Sequence, residues 1–157
     1  MTIDAIVIHH ADAPRATTVA DIRKWHMAQG WRDIGYHYLI RHPLDGSASL
    51  HIGRRHDLND KWEPWEYGAH TKGHNSRTMG LCLIGQHSRY APTPESLDVL
   101  HGWLVALCLR FGLTADDVRG HREMSGTATE CPGKSTDMDA IRERLRAALD
   151  SRAIEAV

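Results

Sequence analysis

The residues most able to do chemistry in this chain are its histidines and one cysteine. In the segment GHREMSGTATECPGK (residues 120–134), His121 and Cys131 stand in one short stretch with three glycines, a run of small and hydroxyl residues, and Pro132. Those are loop signals, so the segment cannot be one helix. A loop that fixes an imidazole relative to a thiol suits a metal. Zinc takes His nitrogen and Cys thiolate, and a catalytic zinc uses three protein ligands and one water. His121 and Cys131 supply two. The best third is His9 or His10, at the end of the first strand, where a ligand is held before the metal arrives. Neighbours on a strand point to opposite faces. One of the pair therefore reaches the metal and the other does not, and spacing leaves open which.

Those residues need elements to position them. Ile3 to His9 is apolar and β-branched, and predicts a strand. Thr18 with Asp21 three residues on predicts a capped helix. Val19, Ile22, Trp25 and Met27 form its apolar stripe, and Gly30 its stop. Tyr36 to Arg41, a turn at Pro43–Gly46, and Ser47 to Ile52 predict a hairpin. Residues 54–75 read as an irregular polar segment, and such length without periodicity often marks a functional loop. Met79 to Gly85 predicts a central strand. Thr93-Pro94 opens a helix to about Phe111, with Gly112 as stop. Val118 to His121 predicts a short strand that delivers His121 to its loop. Ser135 or Thr136 is the expected cap of a last helix.

Composition bounds the answer. The chain has 157 residues, 41% hydrophobic and 25% charged, which predicts one α/β domain over 1–157, a mixed sheet flanked by helices. Net charge is -1 and no basic run is longer than Arg54-Arg55, which argues against nucleic-acid binding. No apolar run approaches the ~20 residues of a membrane span. The N-terminus, MTIDAIVIHH, lacks the pattern of a signal peptide, so synthesis in the cytoplasm is expected. Cys82 and Cys108 sit in apolar runs and read as small buried hydrophobes, whereas Cys131 has polar neighbours.

Four segments in order, IVIHHAD (6–12), IRKWHMAQGWRDIGYHYLI (22–40), YGAHTKGHNSRTMGLCLIG (67–85) and GHREMSGTATECPG (120–133), resemble the zinc-dependent N-acetylmuramoyl-L-alanine amidases. That family includes amidase-type phage lysozymes and peptidoglycan recognition proteins, and the resemblance implies their fold. It implies one zinc on His9, His121 and Cys131, a catalytic Tyr36, and Thr129 where the family has Thr or Lys. It implies a muramyl-peptide groove touched by His70 and Asn75, with Trp31 and Arg54 as further groove candidates. Residues 57–67, DLNDKWEPWEY, match nothing in the family pattern and read as an insertion, with Trp62 and Trp65 divided between sugar stacking and folding the insertion down.

The implied activity is hydrolysis of the amide between N-acetylmuramic acid and L-alanine of peptidoglycan by a phage or prophage endolysin. Such an enzyme is made in the cytoplasm and acts on the wall after the membrane is breached. The resemblance leaves the general base open, with Tyr36 or the metal-activated water as candidates. Two other readings weigh less. A muropeptide-recycling amidase typically carries Asp as third ligand, and non-catalytic recognition modules typically lose the Cys. Regulation of RNA polymerase is known in the phage branch, and enters by analogy only.

Overall fold

The computed structural model describes residues 2–156. The elements in chain order are β1 (Ala5–His10), α1 (Val19–Ala28), β2 (Tyr38–Arg41), β3 (Ser49–Ile52), β4 (Thr78–Leu83), α2 (Pro94–Phe111), β5 (Val118–Gly120) and α3 (Met138–Glu155). They build a five-stranded sheet in the order β3-β2-β4-β1-β5. β2, β4, β1 and β5 run parallel, and β3 returns antiparallel to β2. The sheet is mixed and flanked by helices, as expected. β1 and β4 are buried along their whole length, which is why both read as apolar runs without alternation.

Strand alternation sorts the two faces. Ile6 and Ile8 of β1 join Met79 and Leu81 of β4 under Leu100, Leu104 and Leu107 of α2 and Leu145 of α3. On the opposite face a smaller cluster holds Leu39, Cys82 and Ile84 against Ile22 of α1 and Ile34. His9 lies in register with Cys82, and Cys82 with Leu39, so His9 belongs to this second face. His10 follows Ile6 and Ile8 to the first.

Several boundaries differ from the sequence reading. β1 starts at Ala5 and includes His10. β2 starts at Tyr38, so Tyr36 lies just before the regular ladder, although its carbonyl still accepts from Arg54 N–H at 2.7 Å. β3 starts at Ser49. The cap of α3 is Asp137, whose side chain accepts from Ala140 N–H. The hydroxyl of Thr136 instead donates to Pro132 O at 2.8 Å. On α1, Trp25 and Met27 are 47% and 51% exposed, since only Ile22 and Val19 meet the sheet. The Thr18–Asp21 capping box, the Thr93-Pro94 start and a left-handed Gly112 after α2 all form as read.

The 54–75 segment is irregular except for a single 3-10 turn at Pro64–Glu66. Trp62 packs into the main core, and Glu66 is fully buried, its carboxylate accepting the N–H groups of Asp57 and Glu63, each at 2.9 Å. Arg32 donates to the carbonyls of Pro64, Trp65 and Tyr67. Residues 57–67 are thus folded onto the body. Trp65 remains 38% exposed, with Arg55 over its ring.

Candidate metal centre

β1 and β5 are adjacent and parallel, so they end side by side. In open α/β sheets the crevice beyond the carboxyl ends of strands is the usual ligand site. His9, next to last in β1, lies there, and Gly120 passes the chain from β5 into a 3-10 turn that begins with His121. Cys131 then returns across the loop. The ligand atoms of His9, His121 and Cys131 all lie within 4.8 Å of one another. His9 Nδ1 stands 3.6 Å from Cys131 Sγ. Bond lengths of about 2.0 Å to nitrogen and 2.3 Å to sulfur at a tetrahedral angle require about 3.5 Å between such a pair, close to the distance found. The geometry fits zinc.

The electrostatics fit as well. Burial, then the neighbouring His70 and His121, hold His9 well below the ordinary imidazole range. Its ring is therefore neutral, the form a metal ligand needs. Burial pushes the Cys131 thiol up to about 11, although His10 N–H points at its sulfur from 3.4 Å. A thiol so placed stays protonated at neutral pH unless a cation sits beside it.

The loop that carries Cys131 is braced by a residue the sequence reading passed over. Arg122 donates from its guanidinium to the carbonyls of Glu130, Gly133 and Thr136, and its backbone N–H donates to Cys131 O. The residue next to His121 thus closes the loop on the residue that must meet it. Gly133 has φ +93, and a Cβ there would come within 2.3 Å of the His87 backbone, so the loop passes His87 only as glycine. Below the loop, Arg142 forms a bidentate pair with Glu123, which also accepts from Gly120 N–H.

Tyr36 is half-buried, its ring tilted against His9 at 5.1 Å between centroids and against His26 at 5.3 Å. His26 also packs against Trp31, tilted at 4.7 Å between centroids, and accepts Gly35 N–H at Nδ1. This places Trp31, partly exposed, along one wall beside Tyr36. His26 had no part in the sequence reading, and only its place in the motif IRKWHMAQGW could have marked it. Thr129 is exposed, and its hydroxyl oxygen accepts Cys131 N–H at 3.1 Å.

Three groove candidates prove to have partners inside the protein. Arg54 is 4% exposed and donates to the carbonyls of Ile34 and Asp33, so it braces the loop before β2. Asn75 accepts the N–H groups of His70 and Thr71, and shapes a turn. His70 is 7% exposed, with its ring against His9. His37 is fully buried and hydrogen-bonded at both nitrogens, to Gly80 N–H and Glu66 O.

The sequence pattern of the N-acetylmuramoyl-L-alanine amidase family matches residues 1–134. The chain belongs to that family. It is 34% identical over 131 residues to an endolysin of Klebsiella phage KP32, a match that covers 78% of this chain and 76% of that one. Among solved structures it is similar to the endolysin N-acetylmuramoyl-L-alanine amidase LysCS from Clostridium intestinale, with TM-score 0.76 and 28% identity over 92% of this chain and 84% of that one. It is also similar to the peptidoglycan recognition protein PGRP-SA of bumblebee, with TM-score 0.73 and 29% identity over 93% and 84% of the two chains. This amidase therefore has the recognition-protein fold implied by its motifs.

Proposed function

We propose that the chain, as a single amidase domain over residues 1–157, is a phage-type endolysin. It hydrolyses the amide between N-acetylmuramic acid and L-alanine of peptidoglycan with one zinc on His9, His121 and Cys131. The observation that carries this reading is the convergence of two imidazoles and a thiol within 4.8 Å of one another, at the carboxyl edge of an amidase fold. Zinc held there supplies a water acidified to a pKa of about 7 and a Lewis acid for the carbonyl.

The chain's own residues do the rest. Tyr36, against His9, is placed to donate a hydrogen bond to the oxygen that gains charge as the amide is attacked. Thr129 spends its lone pair on Cys131 N–H and keeps its hydroxyl proton for the same oxygen. Trp31, on His26, offers a flat apolar face for sugar or peptide beside the reacting amide. The substrate is wall polymer, reached from the cytoplasm after the membrane is breached. Among the described residues no helix is long and apolar enough to cross a membrane. Nothing in the fold or its relatives supports polymerase regulation, which forms no part of the proposal.

Purified protein never exposed to chelator should carry about one zinc per chain. Cys131→Ser should lose both the metal and the lysis of purified sacculi, because a neutral hydroxyl is a poor ligand. Full lytic activity with no metal, or equal rates for variant and parent, would refute the zinc mechanism.

A further inference from the structure

His9 has two ring nitrogens, and a metal can use only one of them. Nδ1 faces Cys131, and Nε2 lies 2.9 Å from Nδ1 of His70. Both rings are buried. Two neutral imidazoles at that distance share one proton, so one nitrogen donates and the other accepts.

The surroundings of His70 decide which. Its Nε2 lies 3.4 Å from the carbonyl oxygen of Thr78, which can only accept. The Thr78 hydroxyl, also 3.4 Å away, donates elsewhere, to His74 O at 2.9 Å, and so faces His70 as a second acceptor. Nε2 of His70 therefore carries the ring proton, and its Nδ1 presents a lone pair to His9. His9 must then be protonated on Nε2, which leaves Nδ1 bare on the side of Cys131. The Thr71 hydroxyl, 3.0 Å from His70 Nδ1 and 3.4 Å from His9 Nε2, adds a second acceptor for the same proton.

The ring of His70 is also held in place. A Cβ on Gly80 would lie 2.6 Å from its Cγ, and a Cβ on Gly68 would lie 2.8 Å from its Cδ2. Only glycine at both positions leaves room for the imidazole. Behind it stands His37, edge-on at 5.7 Å, donating to Glu66 O of the inserted segment.

We propose that His70 is the positioning residue of the metal centre, accepting the Nε2–H of His9 and thereby fixing the tautomer and ring orientation that present Nδ1 to the metal. This rests on the zinc reading above, but the His9–His70 pair exists without a metal and can be read without one. A ligand imidazole whose outer nitrogen is held in this way commonly loses 10–100-fold in metal affinity when the outer partner is removed.

The test has two readouts. In the metal-free parent, a long-range proton–nitrogen correlation spectrum should show His9 protonated on Nε2. In His70→Phe, which keeps a ring but has no acceptor, that preference should be lost, and zinc affinity measured against a competing chelator should fall by roughly 10–100-fold. In His70→Asn, whose amide oxygen can take the place of Nδ1, both should recover toward the parent. A parent in which His9 carries its proton on Nδ1 would overturn the proposal, and that result needs no variant to fold. So would a His70→Phe chain with parental tautomer and parental zinc affinity. A parent with His9 protonated on Nε2 that binds no zinc would sink the metal reading and leave the His9–His70 pair standing.

Discussion

Tyr36 carries the sharpest question at the scale of single residues. Burial, and then the nearby Cys82 and Cys131, hold its phenol well above the ordinary tyrosine range. A phenol that resists ionisation is a poor base at neutral pH and a good hydrogen-bond donor. Of the roles the resemblance left open, the donor role is the one its surroundings favour. Tyr36→Phe keeps the ring against His9 and His26 and removes one hydroxyl. Turnover should fall roughly 10²–10³-fold, as for loss of one oxyanion donor, with zinc content unchanged. Binding of uncleaved muropeptide should change little. Single-turnover hydrolysis of a defined muropeptide would check it, and parental rates would make Tyr36 a packing residue only. Residue types gave the sequence reading its ligands but not their neighbours. Arg54 and Asn75 can hydrogen-bond, and the sequence cannot say whether the partner is a muropeptide or a backbone amide. Here the partners are backbone. The choice between His9 and His10 needed one fact the alternation alone lacks: which face Ile8 packs against.

The elements were read more easily than the segments between them. Helix starts carry local signatures, and the Thr18–Asp21 box and Thr93-Pro94 formed where they were read. The loop after His121 was legible as a loop, but its brace was not. Arg122 reaches carbonyls that are distant along the chain, and nothing in its sequence neighbourhood announces them. Its removal should be felt through the loop. Arg122→Met takes donors from the carbonyls of Glu130, Gly133 and Thr136 and should cost about 1–3 kcal/mol. Urea unfolding would measure that, and zinc competition should show weaker binding, because the loop that carries Cys131 keeps only its backbone tie to residue 122. An unchanged midpoint with unchanged zinc affinity would make the brace ornamental. For residues 57–67 the sequence leaves Trp62 and Trp65 divided between sugar stacking and folding the segment down, and the two tryptophans differ. Trp62 is core, packed 5.0 Å from His37, and Trp65 keeps an open face.

For the molecule as a whole, the burial of neutral histidine sets the pH response. Burial, then the neighbouring His70, holds His37 well below the ordinary imidazole value of about 6.5. The unfolded chain therefore binds a proton that the folded one refuses as pH drops. The stability this group contributes is fully present above about 6.5 and is lost as pH falls toward its folded value. Each such histidine adds a slope of about 1.4 kcal/mol per pH unit in that window. His26 and His87, also lowered first by burial, add in the same direction. Carboxylates act at lower pH. Burial alone would raise Glu123, but the Arg142 pair outweighs it, so its contribution persists until acid protonates it below about 4.5. Urea midpoints of the metal-free protein between about pH 7.5 and 5 should fall steadily on acidification, and a flat profile would contradict the buried neutral histidines.

The ligands come from opposite ends of the fold's history as a chain. His9 and Cys131 are separated by 122 positions, yet they meet at 3.6 Å. An ion held between them, as proposed above, would act as a clip that closes most of the polypeptide into one ring. The entropy removed from the unfolded chain by such a closure grows with the length enclosed. It also fixes an order of events. β1 and β5 must pair before those two residues can meet, so tight zinc binding would report that this edge of the sheet has formed.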